Sequence, residues 1–221
     1  MGSPLPTIPR TDFDTALTAV HPSLPAPARA ALYAHYATLA AWNPRLSLVG
    51  PGTAEELVER HYLESLAALP LLPAGPFRLL DVGSGAGFPG LVLAVARPDA
   101  EVFLTEPRQR KWSFLKAASR AASRAATAAG GGALSCHILN ARVESPPAPG
   151  VPTDVDVVTC RAVGISTDLL QPFANRTDLR FLLWRGSEPP PLPAGWEIRR
   201  ETPLAGSARR RILDVRRRTP A

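Results

Sequence analysis

Phe77-Arg-Leu-Leu-Asp-Val-Gly-Ser-Gly-Ala-Gly-Phe-Pro-Gly-Leu91 is the stretch whose reading decides the fold. Leu79, Leu80 and Val82 form a short apolar run, the pattern of a strand buried on both faces. Gly83, Ser84, Gly85, Ala86 and Gly87 follow as a turn in which missing side chains permit unusual backbone angles and close ligand approach. Pro89 stands where a helix begins, because the first helical turn needs no proline N–H, and Gly90 to Val95 continue that helix. A strand, a glycine turn and a helix N-terminus in a doubly wound α/β sheet make a site for a nucleotide-like ligand.

The spacing of the glycines selects among ligands. A dinucleotide turn places its first glycine directly after the strand, giving Gly83-x-Gly85-x-x-Phe88, and Phe88 breaks that frame. The same pattern at Gly85, Gly87 and Gly90 comes two residues too late relative to the strand. What stands here is Asp81-x-Gly83-x-Gly85-x-Gly87, which resembles motif I of the S-adenosylmethionine-dependent methyltransferases. That ligand carries no pyrophosphate, so room for the amino-acid end of the cofactor matters more than a helix N-terminus aimed at an anion. A glycine-rich turn with no ligand is the alternative.

The 221 residues suffice for one domain with a full core and a small N-terminal addition. There is no apolar run of membrane-spanning length and no basic-then-apolar signal pattern, so the expectation is a cytoplasmic protein with no membrane partner. Cys136 and Cys160, both in apolar strand-like runs, read as reduced buried thiols. No Cys/His spacing suggests a metal. Residues 1–175 carry 14 basic and 14 acidic side chains, whereas residues 176–221 carry 11 arginines against 5 acids, the whole of the +6 net charge. An arginine-rich end beside a cofactor fold suggests a polyanionic substrate; a solvated basic surface is the other reading.

In chain order, residues 1–10 look disordered, and Thr11 to Val20 could form a short helix. A stronger helix runs from about Ala26 to Trp42 and is expected to end at Trp42-Asn43-Pro44. Thr53-Ala-Glu-Glu56 is a capping box opening a helix through Leu69. The domain organisation is therefore a tail and short helix (1–22), an N-terminal helical cap (23–76) and a sheet domain (77–221). Further strands are expected over Glu101–Glu106, Leu134–Leu139, Val155–Cys160 and Arg180–Trp184. A closing hairpin is expected from Trp196–Thr202 and Arg211–Val215. Helices fill Arg108–Ala128 and Asp168–Ala174. Seven strands with a C-terminal antiparallel hairpin fit a Rossmann-like class I methyltransferase sheet better than a plain dinucleotide fold.

Glu106 ends the second strand, 23 residues beyond Gly83, where a carboxylate can take both hydroxyls of a cofactor ribose. The plainer reading pairs it with Arg108 or Lys111. Cys160 invites comparison with the nucleophile of carbon-5 pyrimidine methylation. Thr159, however, stands where a proline would precede such a cysteine, and a small buried residue fits better.

Trp42-Asn43, Arg60-His61-x-Leu63-Glu64-Ser65, Leu80-Asp81-Val82-Gly83-Ser84-Gly85-Ala86-Gly87-Phe88-Pro89-Gly90, Arg110-Lys111-x-x-Phe114-Leu115, Arg142-Val143-Glu144 and Arg161-Ala162 stand in order along the chain. Together they resemble the RsmG (GidB) family of bacterial 16S ribosomal RNA guanine-N7 methyltransferases over about residues 26–218. The resemblance implies S-adenosyl-L-methionine as cofactor, held by Asp81, Gly83, Ser84, Gly85, Gly87, Phe88, Glu106, Val143, Glu144 and Arg161. Arg161, between cofactor and substrate, would be the catalytic residue, with Asn43, Arg60, His61 and Arg185 on the substrate side. No metal is implied. The partner would be 16S ribosomal RNA or the small ribosomal subunit, and the chain would act as a monomer. Ser47-Leu48-Val49 replaces the family's Asn-Leu-Thr, and Glu64 stands where the family has Asp. Methylation at guanine N7 uses an in-plane lone pair and releases no proton, which matches Cys160-Arg161-Ala162-Val163 in place of the Asp/Asn-Pro-Pro-aromatic segment of amine methyltransferases. Catalysis would then rest on alignment and desolvation. The alternatives are another RNA or a small molecule as substrate, or a catalytically degenerate RNA-binding member of the fold.

Overall fold

A computed structural model of the chain describes residues 2–50, 56–161, 163–186, 188 and 190–218. The seven strands are β1 (Phe77–Val82), β2 (Ala100–Thr105), β3 (Cys136–Leu139), β4 (Val157–Arg161), β5 (Arg180–Arg185), β6 (Trp196–Pro203) and β7 (Arg211–Arg217). They form one sheet in the order β3-β2-β1-β4-β5-β7-β6. β1 to β5 are parallel. β7 runs antiparallel to both β5 and β6. The expected class I methyltransferase sheet with its closing hairpin is therefore what the chain forms.

Alternating residues of β1 feed two separate cores. Leu79 joins a cluster with Phe13, Leu17, Leu32, Leu91 and Phe114, whereas Leu80 and Val82 join one with Phe173, Phe181 and Trp196. The first cluster packs the helices α1 (Arg10–Val20), α2 (Ala26–Leu46), α4 (Gly90–Ala96) and α5 (Gln109–Ala128) against one face. The short helix α6 (Thr167–Leu170) packs on the other. The N-terminal helices thus share a continuous core with the sheet.

Three local expectations are corrected. α2 does not stop at Asn43 but runs through Pro44 to Leu46, ending on Ser47 at φ 48°. A proline so near a helix end removes a single backbone bond, and the Ser47 amide still reaches the Asn43 carbonyl (2.9 Å). Residues 2–9, expected to be loose, lie along α2: the Tyr36 hydroxyl donates to the Pro6 carbonyl and accepts from the Ile8 amide, and the Asn43 side-chain amide donates to the Ser3 carbonyl. The helix expected through Leu69 is a wide π-helical stretch, Val58–Leu63, that narrows into an α-turn, Glu64–Leu66; together these form α3. Thr53 to Glu55 of its capping box lie outside the described residues.

His35 ties α2 to the glycine turn. Its Nε2 donates to the Ala86 carbonyl (2.8 Å), which leaves Nδ1 to accept from the Tyr62 hydroxyl (2.8 Å). Complete burial lowers its pKa from the ordinary 6.5 to about 4, against the pull of the Ala86 carbonyl. A histidine depressed on folding contributes stability that is full above the unfolded value and is lost as pH falls through the folded one. Unfolding free energies measured from pH 7.5 to pH 4 should therefore fall on acidification. The His35→Gln variant, which keeps a donor for Ala86, should lose roughly 3 kcal/mol less over that range. Parallel pH curves for the two proteins would contradict this role.

A candidate cofactor and substrate cleft at the strand ends

Where β1, β2 and β4 end, the chain encloses a cleft of about 630 Å³ lined by the glycine turn, Glu106, Val143, Glu144, Arg161 and His61 among others. The turn takes its shape from Gly83, Gly85 and Gly87, whose φ angles of 69°, 54° and 91° favour glycine. It is wired to the end of β2: the Ser84 amide donates to the Thr105 carbonyl (2.9 Å), and the Gly85 amide to Glu106 Oε2 (3.1 Å). Gly90 serves closeness instead, since a Cβ there would lie 2.5 Å from the Asp81 Cβ and 2.4 Å from a Leu104 methyl.

Glu106 is fixed by backbone. Besides Gly85, the Arg108 amide donates to Oε1 (2.8 Å), and the Asn140 side chain donates to its carbonyl (2.9 Å). Among the described residues neither the Arg108 nor the Lys111 side chain pairs with it. A carboxylate held this way at a strand end retains acceptor capacity for two vicinal hydroxyls. Asn140 also anchors the segment that carries Val143 and Glu144 along the cleft wall.

The opposite wall is built around Glu64, a side chain only 3% exposed. Its two oxygens accept from Arg161 Nη2 (3.0 Å) and Arg210 Nε (2.6 Å), and Arg161 Nη2 also reaches the Arg60 carbonyl (2.8 Å). Among the described residues Arg161 Nη1 is buried with no hydrogen-bond partner. Beside it the His61 ring stacks on Phe88 (4.7 Å between centroids), with both ring nitrogens buried and, among the described residues, without a hydrogen-bond partner. Burial, and then Arg161, Arg60, His35 and Arg210, push His61 down to about 3, so its imidazole is neutral. Buried polar groups of this kind normally find partners. Arg161 and His61 both line the cleft, which makes them candidates to meet a bound ligand.

Gly83, Ser84, Gly85, Phe88, Glu106, Val143, Glu144, Arg161 and His61 all line the cleft. The other expected site residues do not. Asp81 lies beneath the turn, its Oδ1 accepting from Thr159 (2.7 Å), and burial raises its pKa to about 6 against the hydrogen bonds from Thr159, Ser84 and the Gly90 amide. Gly87 packs against His35 and Leu91. Asn43 accepts from the Val49 amide (3.0 Å) and so holds Leu48, Val49 and Gly50 against the cleft. Arg60 contributes its carbonyl to Arg161 and ion-pairs with Glu56 (3.3 Å). Arg185 donates to the Val163 carbonyl (2.6 Å). Cys160 is buried in β4, and burial pushes its thiol up to about 12, which favours the neutral thiol of a packing residue. Sequence reasoning missed His35 and the clamp role of Glu64. His35 sits in the apolar stripe of α2, where a polar residue is itself a signal.

The family model GidB, described as rRNA small subunit methyltransferase G, matches residues 28–190. Three relatives carry the name ribosomal RNA small subunit methyltransferase G. The protein of Acidiphilium cryptum is 37% identical over 84% of this chain and 85% of its own length. That of Paramagnetospirillum magneticum is 39% identical over 68% of each. That of Desulfotalea psychrophila is 40% identical over 62% of this chain, and the match spans only 59% of its length. Among solved structures, a variant of MtNAS in complex with S-adenosylmethionine has a TM-score of 0.56 at 13% identity, covering 94% of this chain and 84% of that one. An S-adenosylmethionine-dependent methyltransferase from Aquifex aeolicus has a TM-score of 0.51 at 13% identity, covering 76% and 98%. These two likenesses concern the fold. The motif I turn, the strand-end carboxylate and the match over residues 28–190 lead to one conclusion: the chain belongs to the GidB family of ribosomal RNA small subunit methyltransferases.

Proposed function

We propose that this protein transfers the methyl group of S-adenosylmethionine to N7 of a guanine in 16S ribosomal RNA of the small ribosomal subunit. Family membership supports the reaction class, and the cleft supports the details. The observation that carries the reading is Arg161: it is clamped by Glu64 at the boundary between the glycine turn and His61, with Nη1 buried and, among the described residues, without a hydrogen-bond partner. A guanidinium so held suits the O6 edge of a guanine or a phosphate oxygen.

When bound, S-adenosylmethionine supplies an electrophilic methyl group on a sulfonium. The residues fit it: Glu106 would take the ribose hydroxyls, the turn around Gly83 and Gly85 leaves room for the amino-acid end, and Val143 and Glu144 would flank the adenine. Phe88 and the neutral His61 form an apolar, water-poor wall. His61, depressed to about 3, is a poor proton acceptor, which suits attack by a lone pair from which no proton departs. Arg161 would orient the base, so that the rate arises from alignment and desolvation. Among the described residues no helix is long and apolar enough to cross a membrane. On this reading the chain works as a monomer in the cytoplasm.

Labelled S-adenosylmethionine and small subunits from a strain lacking the activity provide the test. Chemical cleavage at 7-methylguanine should reveal one wild-type-dependent site in 16S ribosomal RNA, absent with Arg161→Ala; cofactor binding without incorporation would contradict the substrate. For the cofactor half, Glu106→Gln should weaken S-adenosylmethionine binding about 10- to 100-fold by calorimetry, the range of losing one charge-assisted hydrogen bond. An unchanged Kd would remove Glu106 from the ribose site.

A further inference from the structure

The densest group of arginines outside the cleft lies at the opposite end of the sheet. There β5 begins at Arg180 and β7 ends at Arg216 and Arg217, bounding a cavity of about 540 Å³ that Arg199 and Arg200 of β6 also line. The register separates it from the methyl-transfer end: Arg185, at the other end of β5, pairs with Arg211, whereas Phe181 pairs with Val215. At about 3.3 Å per residue the two ends of β5 lie roughly 17 Å apart.

A bulge builds this cavity. Ile198 opposes Val215 and Arg200 opposes Asp214, so Arg199 is the extra residue of β6. Regular alternation would send two successive side chains to opposite faces; the bulge lets Arg199 and Arg200 both border the cavity. Among the described residues the one carboxylate lining it, Asp214, is held by Arg216 (2.7 and 3.1 Å). Arg199 pairs with Glu197 (2.6 Å) and Arg180 donates to the Leu71 carbonyl (2.7 Å). Arg217 lies over the Trp196 ring (5.7 Å), and neither it nor Arg200 has a carboxylate partner among the described residues. Of the five guanidiniums that border the cavity, Arg199 and Arg216 are ion-paired, whereas Arg180, Arg200 and Arg217 have no carboxylate partner among the described residues, which leaves a net positive cavity that favours an anion.

We propose that this cavity binds the phosphate backbone of the substrate RNA at a second contact, remote from the guanine that is methylated. This rests on the reading of the substrate as RNA. Among the described residues the side-chain donors are guanidiniums apart from the Thr177 hydroxyl, which suits repeated phosphates rather than a nucleobase or a small metabolite. β6 is the edge strand; at the cleft end its turn to β7 carries Arg209 and Arg210, with Arg210 held by Glu64 and Arg211, which opens β7, held by Glu201. The cavity at the other end is therefore a separate contact, reached along the hairpin by an RNA long enough to span the strand.

The test is an Arg200→Gln/Arg217→Gln double variant of the full chain, assayed for binding full-length 16S ribosomal RNA and a fragment trimmed to the nucleotides around the methylated guanine. S-adenosylmethionine affinity and melting temperature should stay at wild-type values. Affinity for the full-length RNA should fall, and the slope of log affinity against log salt should shrink by about 1.5 to 2, two phosphate contacts' worth. Binding of the fragment should not change. Equal losses on both RNAs, or no loss on the long one, would overturn the second contact. So would a phosphate-dependent rise in wild-type melting temperature, abolished in the variant, without any change in RNA affinity, which would mark a small-anion site. A wild-type protein that binds neither RNA would instead overturn the functional reading itself.

Discussion

The cleft depends on one buried carboxylate. Glu64 accepts from Arg161, 97 residues away in sequence, and from Arg210, 146 residues away, and its own carbonyl accepts from the Trp184 indole (2.9 Å). The ends of β4 and β5 and the turn of the closing hairpin are thereby joined at a single residue of α3. A carboxylate this buried is tolerable only because both oxygens are matched, and taking away one member of such a group costs about 3 to 5 kcal/mol. Arg161 lines the cleft, so the same clamp that holds the hairpin also sets the position of Arg161.

The N-terminal helices complete the site from the other side. His35 fixes the glycine turn through the Ala86 carbonyl, Asn43 holds the loop that brings Val49 to the cleft, and the π-helical turn presents His61 to Phe88. A π-turn widens the helix and is frequent at functional sites; here the carbonyl of Arg60 within it is the one that Arg161 reaches. These helices share a core with the sheet.

Most of the sheet was legible because its signals are local. Leu79 to Val82, the alternating glycines and Glu106 lie within one stretch, and their spacing identifies strand, turn and strand-end carboxylate. What the sequence concealed depends on contacts across long separations. Asn43 and Asp81 read as ligand contacts by their motif positions, yet each is taken up internally, one by Ser3 and Val49, the other by Thr159. The continuation of α2 through Pro44 is supported by the packing of residues 2–9, which no local rule anticipates. Glu64 is legible as a member of the Arg60-His61-x-Leu63-Glu64-Ser65 motif, but its clamp role is not, since its two arginines come from β4 and from the distant hairpin.

The account assigns the cleft a reaction driven by position rather than by proton removal. The most direct measurement is the single-turnover rate of 7-methylguanine formation as a function of pH, with saturating S-adenosylmethionine and small subunits. Between about pH 6.5 and about pH 8.5 the rate should be flat, because N7 loses no proton and His61 stays neutral throughout. A rate that climbs about tenfold per pH unit through a single ionisation would show that a base in the cleft removes a proton, and would contradict the account.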